Sequence, residues 1–166
     1  MQKRSYWAIL QKTSAVTREV IKQHYGPERL DVDSAVFFAG VLQDFQQVAD
    51  CLGPEQQLIL DLGCGKGHFA VLLAALGYRV IGVDLPGLVG EFQGIDRPGW
   101  ITDLWTAFAR RFGTTYLQAN GQQLPFPAQA FAAVVGYANL EHIAQAGGDE
   151  HLLLTEVHRV LKPQGH

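Results

Sequence analysis

At 166 residues the chain is long enough for one domain with a substantial core, and its 48% apolar content is that of a globular protein and excludes a disordered chain. Thirteen basic residues against 16 acidic ones leave a net charge of −3, which gives no electrostatic case for binding nucleic acid or an anionic membrane. The two cysteines, Cys51 and Cys64, form neither a zinc set nor a disulfide framework, so a reducing, cytoplasmic setting is expected.

The basic start, Met1 to Leu10, has an apolar stretch too short for a signal peptide. No window approaches the ~20 apolar residues of a membrane span. Trp7, Leu10, Ala15, Val16, Val20 and Ile21 follow helical spacing and predict a helix over 6–24, ended by Gly26-Pro27. A second helix is expected over 35–52, capped by Asp33 or Ser34 and stopped by Gly53-Pro54. Together they make an N-terminal helical segment, 1–54, that packs on or caps a core of residues 55–166. Leu58 to Leu62 reads as the first strand, apolar on both faces as a buried parallel strand is. His68 to Leu76 reads as helix, closed by Gly77 in the left-handed capping position. Tyr78 to Val83 is the second strand.

Residues 85–99 hold four glycines and two prolines and show no periodicity; they are either a substrate lid or a tolerated insertion. Ile101, Leu104, Trp105, Phe108, Ala109 and Phe112 mark one face of a core helix. Thr114 to Gln118 is a short third strand, and Phe131 to Tyr137 a fourth. A last amphipathic helix over 149–161 turns Leu152, Leu153, Val157, Val160 and Leu161 inward. Strands alternate with helices, so the fold class is α/β, with a doubly wound and mostly parallel sheet.

The run from Leu58 to Gly67 carries the most chemistry. It ends a strand in Asp61 and enters a turn with Gly63, Gly65 and Gly67; the next strand is followed at once by Asp84. Glycines let backbone approach a ligand closely, and a second acid placed there can grip a ribose. The spacing fails the dinucleotide pattern, because His68 stands where Gly or Ala is needed, and it fails the P-loop pattern as well. A carboxylate leading the turn repels pyrophosphate. It suits a ligand with an ammonium group and no phosphates.

Leu58 to Asp84 resembles motif I and the following acid of the class I S-adenosylmethionine-dependent methyltransferases. Asn120-Gly121-Gln122-Gln123-Leu124-Pro125-Phe126-Pro127 resembles that family's Asp-Ala-x-x-Leu-Pro-Phe segment. Phe131 to Val135 resembles its Phe-Asp-x-Val strand, and Asn139-Leu140-Glu141-His142-Ile143 its Leu-x-His-Ile sequence. Glu156 to Gly165 resembles Glu-x-x-Arg-Val-Leu-Lys-Pro-Gly-Gly. The small-molecule branch, which includes ubiquinone- and menaquinone-type C-methyltransferases, looks nearest.

The resemblance implies a Rossmann-like sheet ordered 3-2-1-4, S-adenosylmethionine as cofactor and a small-molecule methyl acceptor. The cofactor's carboxylate would sit at the helix start near Gly67, and its ammonium against Asp61 and the carbonyls around Gly63. Asp84 would accept the ribose hydroxyls, and Leu85 would pack on the adenine. Asn120, in place of the usual Asp, and the Gly121 N–H would meet the adenine edge. Cys64, Gly65 and Tyr137 complete the expected cofactor set. Tyr137, Asn139, Glu141 and His142 are the candidates for acceptor contact. His142 reads either as a general base near neutral pH or as a packing residue at a helix start. No metal set is evident. The resemblance places the family's later strands beyond His166, so the chain is expected to be a fragment, or a truncated relative with impaired activity, or to present the strand at Phe131–Tyr137 as an edge that a partner strand or second copy covers. A non-catalytic cofactor-binding remnant and a nicotinamide-dependent oxidoreductase are the alternative readings.

Overall fold

The computed structural model describes residues 3–25, 44–45, 47–52, 57–85, 100–137, 139–145 and 147–166. Most of the helix expected over 35–52 and nearly all of the glycine-rich segment lie outside these residues, although 47–51 are helical. In chain order the elements are α1 (Lys3–Tyr25), β1 (Leu58–Leu62), α2 (His68–Ala75), β2 (Arg79–Asp84), α3 (Trp100–Phe112), β3 (Thr115–Gln118), β4 (Ala133–Val135), α4 (Leu140–Gln145) and α5 (Glu150–Val160).

The four strands form one parallel sheet in the order β3-β2-β1-β4. Leu60 at its centre lies opposite Ile81 on one side and Val134 on the other. Strand alternation divides the side chains between two layers. Ile59, Val80 and Val135 meet Leu10 of α1 and Phe69, Leu72 and Leu73 of α2. Leu60, Leu62 and Val83 turn the other way, onto Phe131 and onto Leu153 and Val160 of α5. Val16 and Val20 of α1, Val71 of α2 and Leu104, Trp105 and Phe108 of α3 make a third cluster. Burying a side chain such as Phe108 or Phe131, both fully enclosed, contributes about 1.5–3 kcal/mol. Asp61 shares the alternation of Ile59, so it points into the layer that holds α2.

Several details depart from expectation. In α1, Trp7 and Ala15 are exposed, while Thr13 and Thr17 are buried. Burial is tolerated because each hydroxyl donates back along the helix, Thr13 to the Leu10 carbonyl and Thr17 to the Thr13 carbonyl. In α5, Leu152 faces solvent and only Leu153 and Val160 are fully buried.

The fourth strand is Ala133–Val135, shorter than Phe131–Tyr137. Phe131 instead bridges to Leu161: its N–H donates to the Val160 carbonyl, and its own carbonyl accepts from Lys162. Farther along, Val134 N–H donates to the His166 carbonyl, and His166 N–H to the Ala132 carbonyl. The outer edge expected to be bare is therefore covered over 131–134 by the segment that follows α5. Among the described residues no helix is long and apolar enough to cross a membrane.

Candidate functional site

Gly63, Gly65 and Gly67 all have positive φ, at 71°, 52° and 86°, a region that side-chain-bearing residues rarely enter. Three left-handed residues in five fold the chain tightly over the end of β2. Gly63 and Cys64 both donate their N–H to the Val83 carbonyl, at 2.8 and 3.0 Å, and Gly67 N–H closes the turn on the Cys64 carbonyl. Asp84 Oδ2 accepts the Gly65 N–H at 2.6 Å, and Oδ1 accepts the Leu85 N–H at 2.7 Å.

Two aromatic side chains hold the turn from the α3 and β3 side. Trp105 Nε1 donates to the Gly65 carbonyl and the Tyr116 hydroxyl to the Gly67 carbonyl, each at 2.9 Å. Their rings stack at 5.4 Å. A Cβ at Gly67 or Gly82 would come within 2.7 Å of the Tyr116 ring, so both glycines give that ring its place. Trp105 was legible only as a core position and Tyr116 not at all; neither lies in a motif.

Asp61 is buried, and this dominates its chemistry. The Ala70 backbone N–H reaches the carboxylate and Oδ2 has no hydrogen-bond partner, while burial first and the Asp84 charge second push its pKa up to about 7. Burial also raises the Asp84 pKa, against the pull of the Gly65 and Leu85 N–H groups. His68 is buried on the far side of the turn, with Nε2 at 3.2 Å from Thr17 Oγ1 and its ring edge-on to Phe108. Burial drives its pKa down to about 3 and keeps it neutral.

The remaining expected residues divide by surroundings. Leu85 is exposed beside Asp84. The Cys64 thiol packs with α1 and α3 and burial pushes its pKa up, while its N–H donates to the Val83 carbonyl of β2 and its C=O accepts the Gly67 N–H. Asn120 is exposed, with its Oδ1 accepting the Gln122 N–H at 2.9 Å, so part of its acceptor capacity orders its own turn. Gly121 passes between Leu62 and Leu153, where a Cβ would lie 2.7 Å from Leu153. Tyr137 stacks on Phe69 at 5.7 Å, and desolvation first, with hydrogen bonding to the Asp44 carboxylate second, raises its hydroxyl pKa.

Asn139 is drawn to the glycine turn: its Nδ2 donates to the Leu62 carbonyl at 2.6 Å. Its own carbonyl accepts the His142 N–H, which places half-buried His142 on the first turn of α4. The Leu124–Phe126 loop is fixed by α5. Glu156 accepts the Leu124 N–H at 2.7 Å, and Arg159 donates to the Leu124 and Phe126 carbonyls and to Glu156 itself. Those two motif residues thus shape the wall after β3. Among the described residues no three His, Cys, Asp or Glu side chains converge on a metal position.

The C-terminal ends of β1 and β2 therefore carry an acid-lined glycine turn, with an exposed leucine beside the second acid. A family model described as Methyltransferase domain matches residues 60–166. A protein of Arabidopsis thaliana called probable methyltransferase PMT6 is 32% identical over 111 residues, which are 64% of this chain and 16% of that protein. An uncharacterized methyltransferase of Mycobacteroides abscessus is 26% identical over 155 residues, 89% of this chain and 54% of its own. The chain thus spans little more than half of one curated relative and under a fifth of the other. Among solved structures, the PH0226 protein of Pyrococcus horikoshii superposes with a TM-score of 0.62 at 24% identity, over 81% of this chain and 57% of that one. The chain belongs to the class I S-adenosylmethionine-dependent methyltransferase family.

Proposed function

We propose that the protein holds S-adenosylmethionine across the ends of β1 and β2 and catalyses methyl transfer to a small-molecule acceptor, of the quinone-ring kind that its motifs resemble. One observation carries the choice of ligand. The Gly65 N–H, at the centre of the turn, is taken by Asp84 Oδ2. A turn that serves phosphate offers its amides to the ligand, whereas this one gives its central amide to the half-buried Asp84 carboxylate and has a second carboxylate, Asp61, buried beneath it. That surface fits a nucleoside carrying positive charge.

When bound, the cofactor supplies a methyl group on a sulfonium, activated for in-line displacement. The work left to the protein is alignment and exclusion of water. Each Asp84 oxygen keeps a further lone pair for a ribose hydroxyl beyond its bond to the turn. Asp61 gives the turn negative character toward an ammonium. Leu85 offers an apolar surface to the base, and the loop held by Glu156 and Arg159 closes the side after β3. His142 and Tyr137, on the segment after β4, are the residues proposed to face the acceptor, His142 as the proton acceptor where one is needed. A cytoplasmic setting and a capping role for residues 1–54 belong to the same reading; Cys51 and Cys64 are both free thiols, which suits a reducing compartment.

Incubation of the purified protein with methyl-labelled S-adenosylmethionine and a metabolite extract tests the catalytic half. Label should appear in a low-molecular-weight product and not in macromolecules. Cofactor binding with no labelled product, in any extract tried, would favour a cofactor-binding remnant.

A further inference from the structure

Asn139 stands at the root of α4 and fills the space over two glycines. A Cβ on Gly63 would lie 2.7 Å from Asn139 Cβ, and one on Gly136 would lie 2.8 Å from Asn139 Nδ2. Both glycines therefore make room for this amide, and its Nδ2 donates to the Leu62 carbonyl at 2.6 Å. Leu62 is the last residue of β1, so that carbonyl belongs to the rim where an open parallel sheet gathers its ligands. A carbonyl at this place is the acceptor that an ammonium group on the bound nucleoside would seek.

We infer that Asn139 tunes the affinity for the cofactor's ammonium: its side-chain amide occupies the Leu62 carbonyl and competes for it with the ammonium of a bound nucleoside. The inference rests on the cofactor reading above. Both groups are N–H donors aimed at one acceptor, but an ammonium makes a charge-assisted bond roughly twice as strong as a neutral amide does. It therefore displaces the amide, at the expense of part of its own affinity. A nucleoside without the ammonium has nothing to put in the amide's place and leaves Asn139 where it is. Because the Asn139 carbonyl accepts the His142 N–H, the exchange happens at the start of the helix that carries His142. Arrival of an ammonium at the Leu62 carbonyl is thus felt at the start of α4.

The experiment is calorimetric titration of the wild-type chain and of Asn139→Ala with S-adenosylhomocysteine, which carries the ammonium, and with 5′-methylthioadenosine, which does not. Loss of one net amide–carbonyl competitor should tighten S-adenosylhomocysteine by about two- to twelvefold and leave methylthioadenosine unchanged. In the wild-type chain, the Asn139 side-chain amide signal in a nitrogen-15 spectrum should move with S-adenosylhomocysteine and stay still with methylthioadenosine. This second measurement holds even if Asn139→Ala fails to fold. Weaker or unchanged S-adenosylhomocysteine binding by a folded Asn139→Ala, or an amide signal that moves equally with both ligands, overturns the inference alone. Failure of the wild-type chain to bind either ligand overturns the cofactor reading, and this inference with it.

Discussion

Replacing Asp61 by Asn isolates the electrostatics of the turn. Asp61 is 1% exposed, and its carboxyl sits at about 7 in the folded chain against an ordinary 3.8. A folded value above the unfolded one means that the contribution to stability is complete below pH 3.8 and is lost as the pH rises from there to about 7. At 1.36 kcal/mol per unit, the ionised carboxylate costs at most about 4 kcal/mol above pH 7. Asn keeps the shape and the acceptor for the Ala70 N–H and never ionises, although its NH2 group needs a partner where Oδ2 has none. Asp61→Asn should therefore be more stable than the wild type at pH 8, by about 1–4 kcal/mol, with the advantage gone near pH 4. Urea unfolding at pH 4, 6 and 8 reads this directly from the midpoints. The wild-type pH profile also contains His68, which cancels in the difference. A difference that does not depend on pH would refute the placement of an ionisable carboxylate, buried with Oδ2 unpartnered, beneath the turn.

Asp84→Ala should weaken S-adenosylhomocysteine by ten-fold or more in calorimetry, roughly the loss of one or two hydrogen bonds to a charged group, while the melting temperature shows that the domain still folds. Trp105→Phe keeps the stacking on Tyr116 but removes the bond to the Gly65 carbonyl; unfolding should show a loss of about 1 kcal/mol, and cofactor affinity should fall with it. His68, lowered from 6.5 to about 3, contributes stability that is present above 6.5 and is lost as the pH falls from there, by no more than about 5 kcal/mol. In His68→Gln, the decline of unfolding free energy between pH 6.5 and 4 should be visibly shallower.

The parts of this fold that sequence makes legible are those written in backbone chemistry. Three glycines in five residues required positive φ, and Gly77 required a left-handed helix end, because no other residue type takes those conformations cheaply. The continuous apolar runs of β1 and β2 announced parallel strands buried on both faces. Side-chain partnerships across the sheet were not legible. Trp105 looked like any core aromatic, yet its indole N–H fixes the turn. Thr13 and Thr17 looked polar, yet their hydroxyls are satisfied within the helix and free to be buried. Leu152 looked like core, yet it lies on the outer face of α5. Phe131 looked like the start of a strand, and it is instead held by Leu161. For Trp105 and Phe131 the deciding contact comes from an element distant in the chain. Period and composition carry no record of that. Of the candidate site, the two acids and the glycines were readable, while the amide of Asn139 reaches the Leu62 carbonyl only through the folded arrangement of β1 against the start of α4.

The most direct test of the central claim is a nitrogen-15 spectral titration of the chain with S-adenosylhomocysteine, run beside one with NAD. Saturable shifts are expected with the first ligand, concentrated at Gly63, Gly65, Asp84 and Leu85, and none with NAD. Saturable shifts with NAD at those residues, or shifts with S-adenosylhomocysteine that avoid the glycine turn, would contradict it.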